Sequence, residues 1–213
     1  MQWTRIGRCV TTPKISVIVT CKARLRFLQE TLPKIINLFD EYILVDYACP
    51  EKSGDWASKN FDVKVCFINK NGFNLSEARN AGAAAATHEW LFFTDADIIL
   101  SPDVASYIDK SQEDIFYSFN IPFCQGTILC RKNDFLRVSG FDTSLCKGYG
   151  YDDIDFRRRL EKINVKEILL PNSMIKHIDH SNDLRTRFQE EKDLWRSFQM
   201  NYKIAQERDN KES

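Results

Sequence analysis

Four short apolar runs recur in the first hundred residues, interrupted by segments of helical spacing. That alternation constrains the fold more than any other feature of the sequence. Ile15–Thr20 (I-S-V-I-V-T), Tyr42–Asp46, Val63–Asn69 and Trp90–Thr94 are strand-length and rich in β-branched or aromatic side chains. Leu25–Phe39 places Leu25, Leu28, Leu32, Ile35, Ile36 and Phe39 at helical spacing, with Pro33 predicting a kink or a delayed start. Leu75–Ala86 is a second helix, with Asn74 as N-cap and Glu77 three residues on, the arrangement of a capping box. Strands alternating with helices imply βαβ units around a mostly parallel sheet.

The second half is less regular. Ser101-Pro102 opens a short helix with cap and first-turn proline in order. Strands are expected near Ile115–Phe119 and Gly126–Arg131, then a helix near Asn133–Val138. A glycine-containing stretch from Gly140 to Gly150 leads into a charged helix from Asp152 to about Lys162. Lys166–Leu169 and Met174–Ile178 read as short strands. Asp183–Glu207 reads as one polar terminal helix with Leu184, Phe188, Leu194, Trp195 and Phe198 as its buried stripe, and Asp209–Ser213 as disordered. No repeat or linker divides the 213 residues, so a single domain is expected.

Composition narrows the class. Lysine and arginine number 30 and so do aspartate and glutamate, which removes the bulk argument for a nucleic-acid partner. The seven cysteines, Cys9, Cys21, Cys49, Cys66, Cys124, Cys130 and Cys146, are odd in number and form no C-x-x-C pair. That suits free thiols in a reducing compartment better than a disulfide framework. No apolar run approaches the ~20 residues of a transmembrane span and no signal-peptide pattern is present. The expectation is a cytoplasmic protein, with peripheral membrane association left open.

Four constellations carry chemistry. Asp95-Ala96-Asp97 leaves the end of the apolar strand W-L-F-F-T, where open α/β sheets bind ligands, and two carboxylates there can present oxygens to a hard divalent cation. A D-x-D alone is a common surface pattern; one that ends a buried strand is more specific. Gly148-Tyr149-Gly150-Tyr151-Asp152-Asp153 combines close-approach glycines with acids at a helix start. The macrodipole explains one such acid well and several less well. His177 and His180 lie three residues apart in a chain with only three histidines, and either, or both, could complete a metal site with the aspartates. Arg79, in F-N-L-S-E-A-R-N, and Asp46, ending the second strand, are a fourth set; a helix-surface salt bridge explains the arginine equally well. There is no G-x-G-x-x-G after the first strand, and no P-loop, H-E-x-x-H or G-x-S-x-G sequence. Dinucleotide oxidoreductase, P-loop kinase, zincin and serine hydrolase chemistry therefore lose support.

Taken in order, I-S-V-I-V-T-C-K (15–22), V-D-Y-A-C-P (45–50), F-N-L-S-E-A-R-N-A-G (73–82), F-F-T-D-A-D (92–97), G-T-I-L-C-R (126–131) and S-G-F-D (139–142) resemble the family 2 glycosyltransferases and related GT-A enzymes. G-Y-G-Y-D-D-I-D-F-R-R-R-L (148–160) is similar to the acceptor-side motif of β-1,4-galactosyltransferases and chondroitin-polymerase-type enzymes, with Tyr149 in place of tryptophan and Asp152 in place of glutamate. The resemblance implies a GT-A, Rossmann-like α/β domain: a nucleotide-sugar half at about 13–100, an acceptor half at about 101–183, and a C-terminal helix at 184–208. It implies an inverting transferase using a nucleotide-sugar, with a UDP-sugar expected, a saccharide or glycoconjugate acceptor, and Mn²⁺ or Mg²⁺. By position it assigns Asp97, His180 and His177 to the metal. Thr20, Asp46, Arg79, Asp95 and Gly126 go to the nucleotide-sugar. Asp152, Tyr149 and Gly150 go to the acceptor, and Asp153 is the catalytic base. A competing register through M-I-K-H makes His177 the principal metal histidine. Two other readings remain: a sugar-nucleotide-binding protein without transferase activity, and a nucleotidyltransferase. The latter is weakened because Thr20–Arg26 carries Lys22, Arg24 and Arg26 but no glycine.

Overall fold

A computed structural model describes residues 13–212. Strands β1 (Ile15–Cys21), β2 (Glu41–Tyr47), β3 (Lys64–Ile68) and β4 (Trp90–Asp95) are connected through α1 (Leu25–Ile35), α2 (Ser53–Asn60) and α3 (Leu75–Ala85). Then follow β5 (Ile98–Leu100), β6 (Ile115–Ser118), β7 (Ile128–Arg131), α4 (Lys132–Arg137), α5 (Asp152–Lys162), β8 (Lys166–Leu169), β9 (Ile175–His177), α6 (Asn182–Thr186) and α7 (Leu194–Glu212). Seven strands form one sheet in the order β3-β2-β1-β4-β7-β6-β8, and β5 pairs with β9 beside it. Only β7 runs antiparallel to its two neighbours. This is the mixed, mostly parallel α/β architecture that the sequence pattern predicts.

Side chains of β1 alternate between the two faces, as the pleat requires. Ile15, Val17 and Val19 join Leu28 and Leu32 of α1 on one face. Ile18 joins Ala78 of α3 and Phe156 and Leu160 of α5 on the other. β1 is buried along its whole length, so its carboxyl end, at Thr20, is held rigidly at the edge of the core.

Several expected boundaries move. Helix α1 does not start late at Pro33 but contains it and stops two residues later, at Ile35, with Ile36 N still donating to Leu32 O. Helix α2 has no strong apolar signal in S-G-D-W-A-S-K-N, which is why the sequence pattern missed it. The expected continuous helix from Asp183 is broken. Lys192 Nζ donates to the carbonyls of Thr186, Arg187 and Gln189, and Asp193 then caps the start of α7 through Arg196 N. α7 runs through the segment expected to be disordered, because Asp209 is tied to Arg158, Lys162 and Arg208. Trp195, expected in the buried stripe, is 70% exposed. Cys21, Cys49, Cys66, Cys124 and Cys130 are free thiols, while Cys9 and Ser213 lie outside the described residues. Among those residues no helix is long and apolar enough to cross a membrane.

Candidate active site

Parallel pairing sets Thr20 of β1 opposite Asp95 of β4. Thr20 Oγ1 donates to Asp95 Oδ1 at 3.2 Å. Three residues on, β5 pairs antiparallel with β9 so that Ile98 faces His177, and Ile178 N donates to Asp97 O at 2.8 Å. This small ribbon carries both histidines back to Asp97 across some eighty residues of chain.

His180 Nε2 lies 2.8 Å and His177 Nε2 4.0 Å from Asp97 Oδ2. Asp97, His177 and His180 offer ligand atoms all within 4.8 Å of one another, the one such group among the described residues. The outer nitrogens fix the orientation of the two rings. His180 Nδ1 faces Ser181 O at 3.1 Å and His177 Nδ1 faces Asp179 Oδ1 at 3.1 Å. Both partners are acceptors only, so each ring can donate from Nδ1 and leave its Nε2 to a bound cation. Both Nε2 atoms converge on Asp97 Oδ2: His180 Nε2 hydrogen-bonds that oxygen, and His177 Nε2 is buried with no hydrogen-bond partner. Two imidazoles and a carboxylate converging on one point, the rings oriented from behind by a carbonyl and a carboxylate, are what a divalent cation requires. Two imidazoles and one carboxylate suit Mn²⁺ and its neighbours, so the residues fit the metal that the family pattern implies. Burial alone would raise the Asp97 carboxyl, but His180, His177 and Arg24 outweigh it and hold it below the ordinary value.

A second layer stands behind the first. Arg79 of α3 is 2% exposed. Its Nη1 donates to Asp152 Oδ2 at 2.7 Å, and its Nη2 lies 3.4 Å from both oxygens of Asp95. Gly126 makes room for it, since a β-carbon there would fall 2.4 Å from Nη2. Burial pushes Asp152 up to about 6, against the pull of Arg79, with Asp153 and Asp95 adding to the rise. Gly150 and Tyr151 both have positive φ, +87° and 73°. That unusual pair of conformations turns the chain so that α5 begins at Asp152. Asp153, half-buried in the first turn, accepts from Ile154 N at 2.8 Å.

These groups line two adjoining clefts. The first holds Thr20, Asp95, Asp97, His177, His180 and Tyr149. The second holds Arg79, Asp95, Gly126, Tyr149, Gly150, Asp152 and Asp153. Asp95, Tyr149, Leu75 and Phe123 belong to both. Burial raises the Tyr149 hydroxyl to about 12 although Arg185, which hydrogen-bonds it, pulls the other way.

Asp46 is not brought to either cleft. Its two oxygens accept from Cys49 N and Gly54 N, each at 2.7 Å, so the carboxylate shapes the turn into α2. Conversely, Lys22, Arg24, Arg185 and Phe188 line the first cleft without having been singled out for it. Lys22 Nζ donates to Tyr47 O at 2.8 Å and sits 5.0 Å from the Phe188 ring centre. Arg24 lies 3.8 Å from Asp97 and donates to Leu184 O at 2.7 Å. The basic run after β1 was the only advance signal for the first two. Arg185 and Phe188 gave none, because their segment looked like part of one long helix. The cleft thus combines cations, a carboxylate–imidazole cluster and aromatic walls, a setting for a phosphorylated ligand.

The family model described as Glycosyl transferase family 2 matches residues 16–160. No curated protein sequence matches the chain significantly. Among solved structures it resembles a mannosyltransferase, PcManGT from Pyrobaculum calidifontis in complex with GDP-Man and Mn²⁺. Identity is 20%, 76% of this chain and 56% of that one are covered, and the TM-score is 0.62. It also resembles S. aureus TarS 1–349 with UDP-GlcNAc (16% identity, 82% and 64% covered, TM-score 0.63) and with UDP (17%, 80% and 62%, TM-score 0.64). The chain therefore spans about 56–64% of the length of these structures, and at such identities the likeness establishes the shared fold.

Proposed function

Because the chain belongs to glycosyl transferase family 2, we propose that it moves a sugar from a nucleotide-sugar onto a hydroxyl of a saccharide or glycoconjugate acceptor. The observation that carries this reading is the convergence of His177 and His180 on Asp97 at the mouth of a cleft that also holds Lys22, Arg24 and Arg185. A UDP-sugar is the working donor; the similar structures hold GDP-Man in one case and UDP-GlcNAc in another.

Asp97, His180 and His177 hold the divalent cation, Mn²⁺ or Mg²⁺. When bound, it supplies positive charge to the diphosphate leaving group. Lys22, Arg24 and Arg185 add charge to the same anion, and Asp95, fixed by Thr20 and Arg79, orients the donor. Residues from about 13 to 100 form the donor half and those from about 101 to 183 the acceptor half, with β9 returning the two histidines to the donor side.

The second cleft takes the acceptor, as the likeness of Gly148–Leu160 to galactosyltransferase-type motifs suggests. Asp153 removes the proton of the attacking hydroxyl. The new C–O bond forms as the bond to the diphosphate breaks, giving inversion at the anomeric carbon. Tyr149, Gly150 and Asp152 shape the acceptor pocket, and the Arg79–Asp152 pair ties it to the donor side.

The test is incubation with UDP- and GDP-sugars, Mn²⁺ and a saccharide acceptor panel, followed by NMR of the product. A glycoside of inverted anomeric configuration is expected. Retained configuration would remove the role given to Asp153. Absence of transfer from any donor that binds would favour a nucleotide-sugar-binding protein.

A further inference from the structure

Trp195, Phe198 and Tyr202 stand at i, i+3 and i+7 on α7, and so share one face of that helix. Trp195 and Tyr202 are 70% and 42% exposed. The Trp195 ring lies within 7° of parallel to Phe198, with centroids 6.2 Å apart. Tyr151 meets both Phe198 and Tyr202 edge-on at 5.3 Å. Phe198 and Tyr151 also line the second cleft, beside Asp153 and Ile154. The aromatic face is thus a continuation of the cleft wall onto the surface.

It is also rigid relative to the cleft. Asn201 Nδ2 donates to Gly150 O at 2.7 Å. Gly148 approaches α7 so closely that a β-carbon on it would lie 2.9 Å from Ser197 Cα. The helix and the loop that presents Tyr149 and Gly150 are one packed unit.

We propose that this face is a saccharide subsite, holding the acceptor units adjacent to the one that reacts, so that the acceptor is an oligosaccharide chain and not a single sugar. The proposal rests on the glycosyltransferase reading above. A pyranose ring presents weakly positive C–H groups on one face, which settle on the negative face of an aromatic ring while the hydroxyls stay in water. Exposed flat rings beside a cleft provide that surface. Trp195 to Tyr202 spans about 10 Å along the helix axis, enough for about two sugar rings. A lipid surface is disfavoured by charge: along α7 the cations Arg196, Lys203, Arg208 and Lys211 are interspersed with the acids Glu207, Asp209 and Glu212, whereas helices that lie on membranes are rich in Lys and Arg on the polar face.

The test is a glycan array of one- to four-unit oligosaccharides, read with the wild-type protein, Trp195→Ala and Trp195→Phe. Melting temperature with UDP or GDP and Mn²⁺ is measured alongside. The expected result is binding that strengthens from one unit to three, falls at least tenfold in Trp195→Ala and is largely kept in Trp195→Phe, with the same nucleotide-dependent shift in all three. Equal glycan binding by Trp195→Ala would overturn the subsite, as would a preference for monosaccharides or no glycan bound at all. Retention on phosphatidylserine vesicles that depends on Trp195 would replace it with a membrane contact. A wild-type protein whose melting temperature shifts with neither UDP nor GDP in the presence of Mn²⁺ would instead overturn the glycosyltransferase reading, and this proposal with it.

Discussion

Arg79 and Asp152 form a 2.7 Å ion pair in which the guanidinium is 2% and the carboxylate 9% exposed. The pair joins α3 to α5 and stands where the two clefts meet. Removing Arg79 leaves the Asp152 carboxylate buried without its ion-pair partner, a loss of about 3–5 kcal/mol, whereas removing Asp152 still leaves Arg79 beside Asp95 at 3.4 Å.

Asp152 gives this pair a signature in pH. Burial holds its folded-state value near 6, above the ordinary aspartate value of about 3.9. The folded protein therefore binds that proton more tightly than the unfolded chain. The stabilisation is complete below about pH 4 and is lost as pH rises through about 6. The stability difference between wild type and Asp152→Asn should change by up to about 3 kcal/mol across this window, read from denaturant melts at a series of pH values. A constant difference would show that Asp152 is ionised in both states.

Gly126→Ala tests the fit around Arg79. The added methyl would lie 2.4 Å from Nη2, and the guanidinium, wedged between Asp95 and Asp152, has no other place to go. A loss of about 1–3 kcal/mol is expected from the overpacking, together with lower turnover. Unchanged stability would mean that the arginine rearranges freely.

Asp46→Ala separates scaffolding from ligand binding. It leaves the amides of Cys49 and Gly54 without their acceptor, at a cost of roughly 2–4 kcal/mol. Nucleotide affinity, measured well below the lowered melting temperature, should stay near wild type. A selective loss of nucleotide affinity would return Asp46 to the donor site.

Much of this was legible in the sequence because strand ends are. An apolar run that terminates in Asp95 and Asp97 can only deliver those carboxylates at the edge of a sheet, and the pattern predicted the sheet. His177 and His180 were visible as a pair, and β9 lies within the strand expected at Met174–Ile178, but its partner β5, three residues long, is too short to show a period. Asp46 is ambiguous in the sequence because a strand-ending aspartate looks the same whether its oxygens face a ligand or two backbone amides. Arg185, Phe188 and the exposed Trp195 were hidden by a helix break that depends on Lys192 reaching back to three carbonyls. Such a tertiary contact leaves no local trace.

Asp153→Asn isolates the proton transfer. The substitution preserves shape and the amide contact at Ile154 while removing the basic oxygen. Transfer should fall by about 10²–10⁴-fold, with nucleotide affinity unchanged in a titration. Wild-type turnover in this variant would place the base elsewhere.

The central claim is that Asp97, His177 and His180 hold the cation through which a nucleotide-sugar's diphosphate is bound. Calorimetric titration of UDP and GDP into the protein, with Mn²⁺ and with EDTA, tests it most directly when repeated on His180→Ala. The account predicts binding that requires Mn²⁺ and weakens at least about 10–100-fold in the variant. Equal nucleotide affinity in EDTA, or Mn²⁺-dependent binding that survives the loss of His180 intact, would contradict it.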